Sequence, residues 1–173
     1  MKPDAVMPIS VVVERRAGKT PWQDYVWRPL GVLPRIADEC GRVLAAGEGW
    51  THFYGGAFDL ELFRGETEGY LTNLSQPVPV VYIVLRRSEE RDGGMEYEPF
   101  LATASSYEAM GYSIGSDEIV EGVPMPAEVM VWLREFVRRH HVDVPFKKRK
   151  NKPHQDDHGG KRPQRQREEE EIG

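Results

Sequence analysis

The sequence predicts an α+β protein: a mainly antiparallel β-sheet, or a partly open barrel, of about seven or eight strands, with a short helix and a C-terminal amphipathic helix. Three observations lead there. Short β-branched or alternating apolar runs recur between Gly and Pro punctuation, one apolar stripe of helical period occupies residues 129–140, and no repeat of 20–50 residues interrupts the pattern.

The first predicted strand is Pro8–Arg16, where Val11-Val12-Val13 forms a β-branched run suited to burial. Gly18-Lys19-Thr20-Pro21 reads as a loop, and Tyr25–Leu33 follows as a second strand. Pro29 cannot donate to a ladder, so that strand is expected at an edge or a bulge. From Pro34 to Gly49 the pattern is ambiguous, with weak helical spacing over Arg35–Ala46 broken by Gly41. Trp50–Tyr54 and Ala57–Arg64 flank Gly55-Gly56, which reads as a two-residue hairpin turn because glycine tolerates positive φ. Phe58, Leu60 and Leu62 alternate with Asp59, Glu61 and Phe63, so one face points inward and the carboxylates point to solvent.

Glu66–Leu74 fits either a strand or a short helix. Val78–Arg87 is continuously apolar and reads as a buried strand, and Met95–Thr103 returns as another after the turn at Ser88–Gly94. Ser105 and Glu108 have capping-box spacing and open a short helix. Ile119–Val123 is a further strand. Pro126 then starts the last predicted helix, whose stripe is Val129, Leu133, Phe136, Val137 and His140, with Trp132 beside it. Glu128 near its start and Arg138, Arg139, His140 and His141 near its end complement the helix dipole.

With 173 residues and 39% hydrophobic content, the chain is long enough for one well-filled core. No apolar run reaches the roughly 18–20 residues of a membrane helix, which argues against a membrane partner. Charge divides it. Residues 147–173 carry nine basic and six acidic side chains (+3), whereas 1–146 carries 14 basic and 22 acidic (−8). The expected organisation is a globular domain over 1–146 and a disordered tail over 147–173, because only Ile172 could offset ordering entropy of about 1–2 kcal/mol per residue. The only cysteine, Cys40, excludes an intrachain disulfide and reads as an ordinary cytosolic thiol. The apolar stretch Ile9–Val13 is too short for a signal segment, so a cytoplasmic location is expected.

Several stretches together resemble the bacterial domain-of-unknown-function family 3305. They include Val11-Val12-Val13-Glu14-Arg15, Trp22–Trp27, Leu60-Glu61-Leu62, Asn73-Leu74-Ser75, Val81–Arg87, Thr103-Ala104-Ser105, Tyr107-Glu108-Ala109, Val123-Pro124-Met125-Pro126 and His140-His141. The likeness spans most of residues 8–150. It implies, through the genes that neighbour family members, an association with formate dehydrogenase, a molybdenum enzyme, and its maturation factors.

The residues themselves point to binding rather than catalysis. There is no Gly-x-Gly-x-x-Gly after a strand, no Walker loop, no Gly-x-Ser-x-Gly and no Cys-x-x-Cys, so no cofactor is expected. His140-His141 reads as a cationic helix cap, since adjacent helical residues diverge by about 100°. His154 and His158 have metal-ligand spacing but sit between Pro153 and Gly159-Gly160, and no metal site is expected. The aromatics Trp22, Tyr25, Trp27, Trp50, Phe53 and Tyr54 serve either a core or a binding patch. Polar neighbours Lys19, Gln23 and Asp24 mark Trp22 and Trp27 as the exposed pair. These two, with Arg86 and Arg87, are the candidate binding residues of the body. Lys147, Lys148, Arg149 and Lys150 are those of the tail.

Three function classes follow. The first is a non-catalytic accessory protein with a protein partner, formate dehydrogenase or a maturation factor by the resemblance. The second is a small-ligand or cofactor-binding β-domain. The third is nonspecific, salt-sensitive nucleic-acid binding by the tail, which has no stacking group after Phe146.

Overall fold

The computed structural model describes residues 1–89, 94–114 and 117–143. Its first compact unit is Met1–Val142; of the second, Asp143–Gly173, only Asp143 is among the described residues.

The first unit holds two open antiparallel sheets and three α-helices, an α+β architecture. The larger sheet runs β2 (Tyr25–Pro34), β1 (Ala5–Ala17), β4 (Trp50–Leu62), β3 (Val43–Gly47). The smaller runs β6 (Tyr97–Thr103), β5 (Val80–Arg87), β7 (Ile119–Pro124). Helices α1 (Thr67–Leu74), α2 (Ser106–Ser113) and α3 (Ala127–His140) complete it. Among the described residues no ladder joins the two sheets, so the alternative of a partly open barrel is not what forms.

One core serves every layer. Ile9, Val11, Val13 and Leu60 of the larger sheet meet Val81, Ile83 and Leu85 of the smaller one. Tyr70 of α1 and Leu133 and Phe136 of α3 join the same cluster. The Tyr70 and Phe136 rings meet edge to face at 6.1 Å, and the Tyr70 hydroxyl accepts the Phe63 N–H at 2.9 Å. Burial pushes that phenol up to about 12.

The predicted hairpin at Gly55-Gly56 does not exist. β4 runs straight through it, pairing with β1 on both sides, from Arg16↔Trp50 to Ala5↔Leu62. Between Ser10↔Ala57 and Val12↔Tyr54 the ladder skips one residue on β1 and two on β4, so the two glycines form a bulge. Gly56 has φ 109°, and a Cβ on Gly55 would lie 2.8 Å from Pro99 Cγ and 3.0 Å from the Val11 carbonyl oxygen. Glycine here bends a long strand and admits the smaller sheet; it does not reverse the chain. The true hairpin turn is Glu48-Gly49, where Gly49 has φ 77° and Gly47 pairs with Trp50.

The weak helical spacing over Arg35–Ala46 also gives way, here to irregular backbone followed by β3. The open reading of Glu66–Leu74 resolves into a 3-10 turn (Arg64–Glu66) leading into α1. Pro29 sits in β2 where Leu30 is passed over, combining the edge and bulge positions foreseen for it. Pro126 precedes α3 and its carbonyl accepts the Met130 N–H at 3.0 Å.

Gly55→Ala should destabilise the fold by about 1–3 kcal/mol, because neither Pro99 nor the β1 backbone can withdraw without cost. Gly65→Ala, which meets nothing within 4 Å, should stay within about 0.5 kcal/mol. Urea unfolding of both variants reads the difference.

Candidate functional site

Strand alternation sends successive β1 side chains to opposite faces, and this creates two chemically distinct surfaces. Val11 and Val13 face the core. Arg15, next on that side, pairs across to Trp27 on β2 and Thr51 on β4. Its guanidinium carbon lies 4.5 Å from the Tyr25 ring centroid, 5.3 Å from Phe53 and 5.8 Å from Trp27. Such cation–π contacts are worth about 0.5–1 kcal/mol each when exposed and more when desolvated. Its side chain also makes a long donation to Thr51 Oγ1, 3.4 Å. Among the described residues no carboxylate reaches Arg15.

Arg15, Tyr25, Trp27, Arg87, Met95 and Glu96 line a cleft of about 730 Å³, with Glu89 also on its rim. Trp27 is only 4% exposed, stacked on Phe53 at 5.6 Å, and its buried indole N–H meets no acceptor among the described residues. Arg87 donates to the Tyr97 hydroxyl at 3.3 Å and lies 3.9 Å from the Glu96 carboxylate. A second groove of about 530 Å³ shares Arg87, Ser88, Glu89 and Met95 with the first and extends to Cys40, Arg86 and Phe100.

The predicted binding residues are thus separated. Trp22 lies in the β1–β2 loop and is 85% exposed, as its polar neighbours suggested. Trp27 is a correction: it is buried, since on β2 it alternates with exposed Val26 and Arg28, and strand geometry outweighs the polarity of sequence neighbours. Arg87 lines both grooves. Arg86 points the other way, ion-paired with Glu118 and stacked on Phe100 with its guanidinium carbon 3.2 Å from the centroid. Lys147, Lys148, Arg149 and Lys150 lie outside the described residues, as do His154 and His158. Arg15 was missed as a site residue. Its signal was available: an arginine two positions beyond Val13 continues the inward row of a buried strand.

The other face of β1 carries Glu14, whose side chain is only 2% exposed. Its Oε1 accepts from Arg16 Nε at 2.6 Å and Arg28 Nε at 2.9 Å, and its Oε2 lies 2.8 Å from His52 Nε2. Burial alone would raise the carboxyl, but the hydrogen bonds from His52, Arg16 and Arg28 together hold it below the ordinary range.

Elsewhere, Asp59 and Glu61 are exposed on the outer face of β4, as alternation required. His141 follows α3, its backbone N–H donating to the Val137 carbonyl, and its ring nitrogen lies 3.0 Å from Thr67 Oγ1. Cys40 is exposed, with its Sγ 3.5 Å from the Gly55 carbonyl. Among the described residues no three His, Cys, Asp or Glu side chains gather to hold a metal ion, and no helix is long and apolar enough to cross a membrane.

Fold and cleft together define a two-sheet α+β domain with a cation-on-aromatic recess at the seam of its sheets. The chain belongs to the family described as "Protein of unknown function (DUF3305)", whose model matches residues 8–150. No curated protein and no solved structure matches it.

A folded carboxyl below its unfolded value, about 4.5, stabilises the protein fully above that value and ceases to do so as pH falls through the folded value. Glu14→Gln should therefore lose less stability than the native protein between about pH 7 and about pH 3. Equal losses in urea midpoints across that range would contradict the assignment.

Proposed function

We propose that the protein is a non-catalytic accessory protein that binds another protein, gripping an acidic side chain of its partner in the Arg15–Trp27 cleft. The observation that carries this reading is Arg15: a half-buried guanidinium held over three aromatic rings, with no carboxylate reaching it among the described residues. Removing a cation from water without a counter-charge costs stability, and an incoming carboxylate supplies the planar, charge-assisted partner that a guanidinium fork fits. The aromatic floor adds the kind of anchor on which interface energy concentrates. Glu89 and Glu96 balance the formal charge of the lining, so selection comes from the placement of Arg15 and not from an overall basic field.

The setting we propose is bacterial formate-dehydrogenase maturation or regulation, on the strength of the family's gene neighbours. Tagged protein should co-purify formate dehydrogenase or one of its maturation factors, and Arg15→Glu should reduce recovery at least tenfold while leaving the circular dichroism spectrum unchanged. Recovery of neither, or full recovery with Arg15→Glu, would remove this assignment.

A small anionic ligand is a second reading of the same cleft. A volume of about 730 Å³ lies within the usual range of small-molecule sites, about 300–1,000 Å³, and the unpartnered Trp27 N–H offers a fixed donor. A thermal-shift screen of nucleotides and pterins would then show stabilisation of about 2.7 kcal/mol at a hundredfold excess over Kd. A flat screen with successful co-purification leaves the protein-binding reading alone.

A further inference from the structure

The outer face of the larger sheet carries a second site, independent of the cleft. Glu14, Arg16, Arg28, His52 and Trp50 all project there. Glu14 is paired with Arg28 on one side and His52 on the other, Arg16 lies two residues along the same strand, and Trp50 is the ladder partner of Arg16. Neighbouring positions on one sheet face are about 5–7 Å apart, a distance a single tetrahedral oxyanion can bridge through long side chains.

Charge does not balance in this group. One buried carboxylate faces two guanidinium groups and an imidazole, and among the described residues no second carboxylate reaches Arg16 or Arg28. Glu14 also engages both arginines through Nε, and both on the same oxygen, Oε1. That contact fixes the inner edge of each guanidinium, and among the described residues the outer, terminal nitrogens meet no protein acceptor. Arg16 and Arg28 remain 56% and 48% exposed at their side chains, so those nitrogens are open to a ligand while the stems are anchored. Stability alone does not call for such a group, since a buried ion pair rarely outperforms apolar packing of the same volume. Trp50 lies against His52 with ring centroids 4.5 Å apart and supplies a flat, half-exposed surface beside the cations.

We propose that Glu14 holds Arg16 and Arg28 as a two-armed clamp for a phosphate group on the outer face of the larger sheet. Two pre-positioned guanidinium groups match the oxygens of a phosphate monoester, each offering paired donors. Trp50 then decides whether the ligand is a bare phosphate or the phosphate of an aromatic ester.

Isothermal titration of the full chain with inorganic phosphate and with adenosine monophosphate, at low ionic strength, tests this. Both probes are expected to bind, and Arg16→Gln and Arg28→Gln should each weaken binding at least tenfold, with Arg138→Gln, an exposed cation paired with Glu135 on α3, as an unaffected control. Glu14→Gln is the sharper variant. It removes a negative charge, so loose electrostatic attraction would tighten binding, whereas a clamp that has lost its anchor must weaken. Should Glu14→Gln fail to fold by circular dichroism, Arg28→Lys carries the distinction, because it keeps the charge and removes the fork. Weaker binding by Arg28→Lys supports the clamp, and unchanged affinity overturns it. Tighter binding of adenosine monophosphate than of phosphate, lost in Trp50→Ala, identifies an aromatic ester; equal binding identifies the phosphate group alone, and either supports the site. Absence of heat with both probes, or binding indifferent to Arg28→Gln, overturns the proposal.

Discussion

The structure depends on β1 pairing along most of its length with two neighbours at once. Arg16 to Ile9 stand between β2 and β4, so that stretch is paired on both edges and its two faces are assigned without ambiguity. A slip of one residue would send Val11 and Val13 outward and drive Glu14 into the core. Register is therefore enforced by hydrophobic burial on one side and by the cost of an unpaired carboxylate on the other. Each adjacent strand accommodates the long pairing with a bulge, at Leu30 on β2 and at Gly55-Gly56 on β4.

The same alternation gives the strand two chemistries. Arg15 continues the inward row past the core and emerges over Tyr25, Trp27 and Phe53, while Glu14 and Arg16 belong to the outward row. Arg15, Glu14 and Arg16 are each fixed by a ladder position. A second set of polar ties holds the helices against the smaller sheet. Asn73 is fully buried and uses its whole amide: it donates to the Val80 and Ala104 carbonyls and accepts from Val80 N–H and Gln76 Nε2. A buried amide satisfied at every position locks α1 in one orientation. Ser105 caps α2 by accepting the Glu108 N–H, and the return arm of the capping box runs through Thr103, which accepts from Ser105 N–H and donates to Glu108.

Much of this was legible in the sequence, and the failures have physical causes. The β-branched Val11–Val13, the apolar Val80–Leu85 and the stripe Val129, Leu133, Phe136, Val137 each carry a period that only one element can bury, and each lies where it was expected. Gly55-Gly56 misled because positive φ serves a bulge as well as a turn; the choice depends on whether the partner strand continues, which is a long-range fact. Glu48-Gly49 was passed over because its flanks, Val43–Gly47, are wholly exposed and show no alternation to mark a strand. At the cleft, aromatics and arginines were recognised separately, but the meeting of Arg15 with Arg87 depends on how two sheets approach, and no local spacing encodes that.

The stretches that carry the family resemblance are chemically silent for a related reason. Asn73, Thr103, Ser105 and Glu108 are spent on internal hydrogen bonds, and Val81, Ile83, Val84 and Leu85 are buried. A motif assembled from such residues describes architecture and leaves function unstated. One quoted stretch differs. Val11-Val12-Val13-Glu14-Arg15 ends on the two residues that open onto both surfaces, with Glu14 anchoring cations on one side and Arg15, on the other, reached by no carboxylate among the described residues. A carboxylate shared by several cations and a cation seated on aromatic rings lie next to each other in sequence, yet the pleat keeps them apart. Their mutual neutralisation is forbidden by the strand itself, and the charge left on each face is what a partner or ligand would meet.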